Sequence, residues 1–283
     1  MAAGPRESSL RVRLDELVAY RELLQTLVVR DLKARYRGSV LGFLWTFANP
    51  ILMLLVYSLV FGIIARGNAI HDYGLFLFTG LVPWYMVSSA VLGGTICLLN
   101  NASLIRKVYF PSELIPMATV LASLVNYLLT MIIVIPLLLI FGFHVVSAYL
   151  PVVVFLLLLL LVFCLGCALL LSVATVFFRD FEQLANVGLM AWFFLTPIVY
   201  STTLFAHLQA RHPALAWLPY LNPMTGWMVV YRHILLYGSL PGNQPGVSWA
   251  MWGLLYMAGW SVLLLVVGYS VFIHFKRRLD DEL

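Results

Sequence analysis

RDLKARYRGSVLGFLWTFANP, residues 30–50, runs a dense basic stretch straight into an apolar segment interrupted by Asn49-Pro50. Arg30, Lys33, Arg35 and Arg37 precede the apolar half, the charge pattern of a segment held at the cytoplasmic face just before a membrane-spanning helix. The rest of the chain agrees with that reading: of 283 residues 63% are hydrophobic and 10% charged, with a mean hydropathy of +0.97. The apolar share of a water-soluble domain is nearer half, so the composition predicts a polytopic membrane protein. The first apolar run starts near Phe43, behind a long charged segment rather than a short basic one, which predicts a retained N-terminus with no secretory signal.

Stretches of roughly 20 apolar residues with charges only at their ends predict six spans, at 43–65, 75–99, 114–143, 148–178, 184–200 and 249–275. The third and fourth are long enough to tilt or to project beyond the hydrocarbon. With the N-terminus inside, 14 of the 17 Lys and Arg fall on the cytoplasmic side, leaving Arg66, Arg211 and Arg232 outside. The positive-inside rule therefore predicts cytoplasmic N- and C-termini. The segments are a cytoplasmic N-terminus over 1–42, a six-span membrane domain over 43–275 and a cytoplasmic tail over 276–283.

Ahead of the first span, Leu10, Leu14, Leu17, Val18, Leu24, Leu27, Val28 and Leu32 recur at three- and four-residue spacing, the period of an amphipathic helix. Such a helix can lie in the headgroup plane, pack on a soluble partner, or do both. Pro50 inside the first span predicts a kink with Asn49 facing protein or a conduit, because hydrocarbon tolerates freed backbone groups only where something satisfies them. A kink that serves packing alone is the plainer reading. Pro136 and Pro197 invite the same pair of readings.

Two loops on the basic side stand out. In NASLIRKVYFPSE, residues 101–113, Asn101 or Ser103 can cap a short helix whose Ile105, Val108 and Tyr109 share a face, with Pro111 as a stop. A compact helix between spans serves as a docking element or, more plainly, as a topology signal. The second loop is Phe178-Arg179-Asp180-Phe181-Glu182. On the opposite side, residues 200–248 are apolar yet broken by Pro219, Asn222, Pro223 and Arg232, which predicts half-helices that re-enter the outer leaflet and are buried in protein. An ordinary surface cap is the alternative.

Catalytic and energy-transducing chemistry is not visible. Lys33, Lys107 and Lys276 follow Leu32, Arg106 and Phe275, so none completes a phosphate-binding GxxxxGK[ST] loop. Asp72, Glu113, Asp180 and Glu182 sit at span ends, whereas gradient-driven carriers usually place carboxylates within the membrane. The six histidines are scattered, and Cys164 and Cys167 form a CxxC inside a leucine-rich span with no second pair to complete a zinc site. No metal site, cofactor or nucleic-acid partner is expected for this chain. Aromatic groups at Phe43, Trp45 and Phe47, at Trp84 and Tyr85, and at Trp192, Phe193 and Phe194 suit either an interfacial belt or the C–H faces of passing sugar rings.

The basic helix, Gly38-Ser39-Val40-Leu41-Gly42, Trp45 and Asn49-Pro50 together resemble the start of the permease subunits of bacterial ATP-binding-cassette exporters of lipid-linked polysaccharide or teichoic acid. The resemblance covers nearly the whole chain. It implies an all-α membrane subunit with an interfacial helix, six spans and a re-entrant exocytoplasmic hairpin, in the bacterial cytoplasmic membrane. By the same resemblance, Ser103, Leu104, Ile105, Arg106, Lys107 and Phe110, followed by Pro111 and Glu113, look like a coupling helix (about 100–113), with Arg179, Asp180 and Glu182 as a second contact. Arg30, Lys33, Arg35 and Arg37 would meet the pyrophosphate of a polyprenyl-linked glycan, and the aromatic groups with Asn49 would line its path. Asn222, Pro223, Tyr231 and Arg232 resemble an outer gate. A homodimer is implied, with two copies of a separate ATPase that carries ATP and Mg. The rivals are a small-molecule or lipid exporter permease of the same superfamily and a membrane enzyme acting on lipid-linked sugars.

Overall fold

The computed structural model describes residues 20–35, 38–64, 73–107, 110–143, 145, 148–200, 221–241 and 250–282. Among these residues the chain is helical throughout, with no strand. In chain order the helices are α1 (Arg21–Arg35), α2 (Trp45–Ile64), α3 (Tyr73–Asn100), α4 (Ala102–Lys107), α5 (Leu114–Ile140), α6 (Leu150–Phe177), α7 (Phe181–Leu195), α8 (Pro223–Tyr237) and α9 (Ala250–Glu282). A single 3-10 turn, Gly42–Leu44, leads into α2.

Four helices are long and apolar enough to cross a membrane, namely α3, α5, α6 and the Ala250–Lys276 part of α9. α2, with 20 residues, has the length of about 30 Å that a crossing needs. α7, with 15 residues, reaches only about 22 Å. The span predicted at 184–200 thus starts earlier, at Phe181, and stops at Leu195. Its stop has a local cause: Pro197 has no N–H and disfavours helical backbone at the residue before it, and Thr196 is extended at φ −96° and ψ 138°.

α3 is the central element. Buried residues make up 72% of its apolar stretch, against 17% for α9, so α3 is enclosed by the chain while α9 leaves most of its surface uncovered by it. Its neighbours are α6 and α5 on its long sides, with α2, α7 and α8 completing the shell. The most extensive helix contact joins α6 to α9. It rests on glycines: a Cβ at Gly166 would lie 2.5 Å from the backbone carbon of Leu264, and one at Gly268 would lie 2.5 Å from the Gly166 carbonyl oxygen. Gly226 of α8 meets Gly253 of α9 in the same way. Lipid tails are as apolar as leucine, so helices in a bilayer associate by close packing over small residues, which these positions supply.

At the basic end a cluster of Cys97, Leu98, Ile115, Leu169, Val173, Phe272 and Leu279 ties α3, α5, α6 and α9 together. Lys276 closes it, donating to both carboxylate oxygens of Glu113 at 2.9 and 2.8 Å. Both groups are partly buried, so removing one leaves the other half-desolvated. Lys276→Met is expected to lower stability by about 1 kcal/mol, read as a fall in Tm in detergent, and the loss should vanish when Glu113→Gln is already present.

Candidate functional site

Gly38 (φ +81°) and Gly42 (φ +50°) take left-handed backbone and fold residues 38–42 into a tight turn between α1 and α2, with the Gly42 N–H donating to the Ser39 carbonyl at 3.2 Å. A side chain at either position would strain that turn. It lets α1 fold back against the start of α5, where Leu27 is buried with Leu114 and Ala118, and Leu23, Leu24 and Val28 pack beside them. Part of the apolar face of α1 is thus packed on α5. Leu10, Leu14, Leu17, Val18 and Arg37 lie outside the described residues, as do Val108 and Tyr109.

Polar contacts fix α1 to α5 and to the junction between α3 and α4. Arg30 donates to the Asn101 side-chain oxygen at 2.5 Å, Thr119 donates to Asp31 at 3.1 Å, and Arg35 donates to Ser123 at 3.0 Å. The Asn101 amide donates to the Cys97 carbonyl at 2.8 Å, so this side chain braces the end of α3 instead of capping α4. α4 sits across two apolar clusters: Leu104 packs with Leu27 and Leu114, while Ile105 packs with the α9 end. Phe110 touches both clusters. Ser103, Arg106 and Lys107 point outward and are exposed, as are Arg179, Asp180 and Glu182 at the α6–α7 turn, and Lys33. α4 thus touches both the cluster that holds α1 and the cluster that holds the end of α9.

A cavity of about 220 Å³ opens between α2, α3 and α5. Of the residues singled out from the sequence as a substrate path, Arg35, Trp45, Asn49 and Tyr85 line it, together with Pro50, Ser89, Ser123, Asn126, Tyr127 and Thr130. Pro50 cannot donate to the carbonyl four residues back, that of Thr46. Thr46 lines the same wall, and its hydroxyl is buried with no hydrogen-bond partner. Asn49 and Pro50 thus lie on the cavity side of α2. The other aromatic groups are elsewhere: Trp84 is 5% exposed and packs against Trp192 and Phe193 at 5.6 and 5.7 Å between ring centroids, forming part of the core between α3 and α7. Phe194 is exposed on the outer side of α7, Phe47 is partly buried, and the Phe43 side chain lies outside the described set.

Opposite the basic end, Asn222 and Arg232 meet at the end of α7. Asn222 caps α8, its oxygen accepting from the Met224 N–H at 3.0 Å and from the Trp192 indole at 2.8 Å, while its amide donates to Leu195 O and Thr196 Oγ1. Pro223 takes the first helical position, where its missing N–H costs nothing. Arg232 is buried, donates to the carbonyls of Pro197 and Ile198 at 2.5 Å each, and lies 3.8 Å over the Phe76 ring. The Tyr73 hydroxyl donates to the next carbonyl, that of Val199. Tyr231 shares a 2.8 Å hydrogen bond with Tyr127, and Trp227 donates to Leu156 O at 2.8 Å. Residues 201–220 and 242–249, the rest of the expected outer hairpin, lie outside the described residues.

Sequence reasoning passed over the polar stripe of α5. Thr119, Ser123, Asn126, Tyr127 and Thr130 recur at three- and four-residue spacing, and polar groups with that period inside an apolar span mark one helix face turned toward protein or water.

The ABC-2 type transporter family model matches residues 22–236. The O-antigen export system permease protein RfbA of Myxococcus xanthus is 39% identical, covering 95% of this chain and 98% of that protein. The protein of the same name from Klebsiella pneumoniae is 30% identical over 93% of this chain and 95% of its own length. The matched region takes in the cavity and the helices from α1 to α8, leaving out only α9 and the terminal residues of α1 and α8, and the chain belongs to the ABC-2 type transporter family.

Proposed function

We propose that the chain is the channel-forming subunit of an ATP-driven exporter that moves a polyprenyl-linked cell-surface glycan across the bacterial cytoplasmic membrane. The observation that carries this reading is the near-full-length match to permeases named for O-antigen export. α2 and α7 join the four long helices as the first and fifth of six crossings, both termini are cytoplasmic, and α8 is one arm of a re-entrant hairpin that forms the outer gate. The burial of α8 along most of its length supports that arm, since short helices at membrane depth must be enclosed by protein.

Two copies form the conduit. Leu52, Leu55 and Leu59 of α2 and Leu184, Val187 and Met190 of α7 are exposed and apolar, which supports a shared path between the first and fifth crossings of two protomers. Two copies of a separate ATPase, holding ATP and Mg, bind below at Ser103, Arg106 and Lys107, with Arg179, Asp180 and Glu182 as the second contact. ATP-driven closure of that pair moves α4, and α1 follows through Leu104 and the Arg30–Asn101 hydrogen bond.

The chain purified from its native membrane in mild detergent should bring an ATPase with it and hydrolyse ATP. Charge reversal with Arg106→Glu and Lys107→Glu is expected to cut export at least about tenfold, the effect of roughly 1.4 kcal/mol of lost coupling, while hydrolysis and dimerisation persist. Unchanged export would overturn the docking role of α4, and a chain that never copurifies with an ATPase would overturn the exporter reading.

A further inference from the structure

We infer that the cavity between α2, α3 and α5 is a subsite for a glycosyl phosphate, holding the first sugar residue of the lipid-linked cargo together with the phosphate attached to it. The inference rests on the export reading above and adds which part of the cargo this chain recognises.

The cavity, of about 220 Å³, is on the scale of one monosaccharide and is open on one side, so a longer glycan would continue beyond it. The wall offers amides and hydroxyls from Asn49, Ser89, Asn126 and Thr130, and aromatic rings from Trp45 and Tyr85. Such a set can hydrogen-bond a polyol and lie against its C–H faces. Arg35 is the single charged residue among those lining the cavity, and no carboxylate among them opposes an anion. Its guanidinium engages Ser123, whose hydroxyl also meets that of Ser89 at 3.0 Å, so the charge is held at the head of the polar wall.

The layout separates a sugar phosphate from an ordinary phospholipid. From Ser123, at the level of Arg35, to Thr130 the polar face of α5 runs seven residues, about 10 Å. A phosphate alone fills only the first part of that length, and a diacyl lipid would place acyl chains against the remainder. A phosphate followed by one pyranose ring presents hydroxyls along all of it. Polar groups at this depth are costly unless something satisfies them, and the buried Thr46 hydroxyl, which has no partner, stands in the same wall.

The test uses the permease–ATPase complex in phosphatidylcholine nanodiscs and two probes, a short-chain polyprenyl diphosphate bearing one hexosyl residue and the same diphosphate without the sugar. The hexosyl probe should bind at least about tenfold more tightly. Asn126→Leu should erase that preference while leaving the sugarless probe unchanged, Asn126→Ser should keep part of it, and Arg35→Gln should weaken both probes alike. Equal binding of the two probes to the wild-type complex, or a preference that survives Asn126→Leu, overturns the subsite. Equal competition by phosphatidylglycerol overturns it too and assigns the cavity to bilayer lipid. ATP-driven glycan transport by the same complex in vesicles is read alongside. Transport without sugar preference refutes the subsite alone, whereas absence of transport in the wild-type complex refutes the export reading.

Discussion

Arg232→Leu is expected to lower stability by about 3 kcal/mol and to abolish export, the largest effect of any single polar substitution in the fold. The guanidinium serves two carbonyls, those of Pro197 and Ile198, in the turn that follows α7, beside a helix C-terminus that favours a cation. Deleting it strands both acceptors in a buried site, at about 1–3 kcal/mol each. Relief from burying the charge offsets part of that loss, and the Arg232 Nε, already buried without a partner, shows that the burial is imperfect. Arg232→Lys should recover only a fraction, because a point charge cannot reach both carbonyls and lie flat over Phe76 as well. Gly80→Val gives an independent check: a Cβ at Gly80 would overlap the guanidinium, so the clamp is displaced with its charge intact. Thermal unfolding in detergent should show a Tm fall of roughly 6–12 °C for Arg232→Leu, and a Tm within about 1 °C of wild type would dismiss the clamp.

Arg232 also shows where the sequence was legible and where it stopped. Its place in an apolar stretch broken by Pro219 and Pro223 marked it as unusual, and the expectation that this segment is buried in protein agrees with α8. Its partners were not legible, since backbone carbonyls more than 30 residues away leave no trace in residue type. The helical class and the basic end followed from charge and hydropathy, which act locally along the chain. The end of α7 did not, because hydropathy runs on through Thr196 and Pro197 while the backbone does not. Trp84 and Trp192 were ambiguous for a related reason. An aromatic ring near a span end suits the interface, a conduit or a core, and only its neighbours decide which. The stripe from Thr119 to Thr130 was readable by helical spacing, yet each residue alone looks like an ordinary tolerated hydroxyl or amide in a leucine-rich span.

The glycines at the α6–α9 contact were the least visible determinants, and they carry the last prediction. Gly166 sits in an otherwise bulky run of leucines, and nothing in that run names the element it faces. The structure places it against the backbone of Leu264 and Leu265, with Gly268 against Gly166 itself. Backbone atoms cannot rotate out of the way as a side chain can, so even one added methyl must part the two helices. Gly166→Ala is expected to destabilise by roughly 2–3 kcal/mol, the upper range for overpacking, and Gly166→Leu to prevent recovery of folded protein. At Gly259 on the same helix α9, a Cβ would meet nothing within 4 Å. Gly259→Ala should therefore be neutral or slightly stabilising, since alanine favours helix over glycine by about 1 kcal/mol. The pair of substitutions, compared by folded yield and Tm, separates close packing from helix propensity. A Gly166→Ala protein as stable as Gly259→Ala would mean that α6 and α9 are not held at the distance their backbones show, and with them the platform on which α4 and the basic end rest.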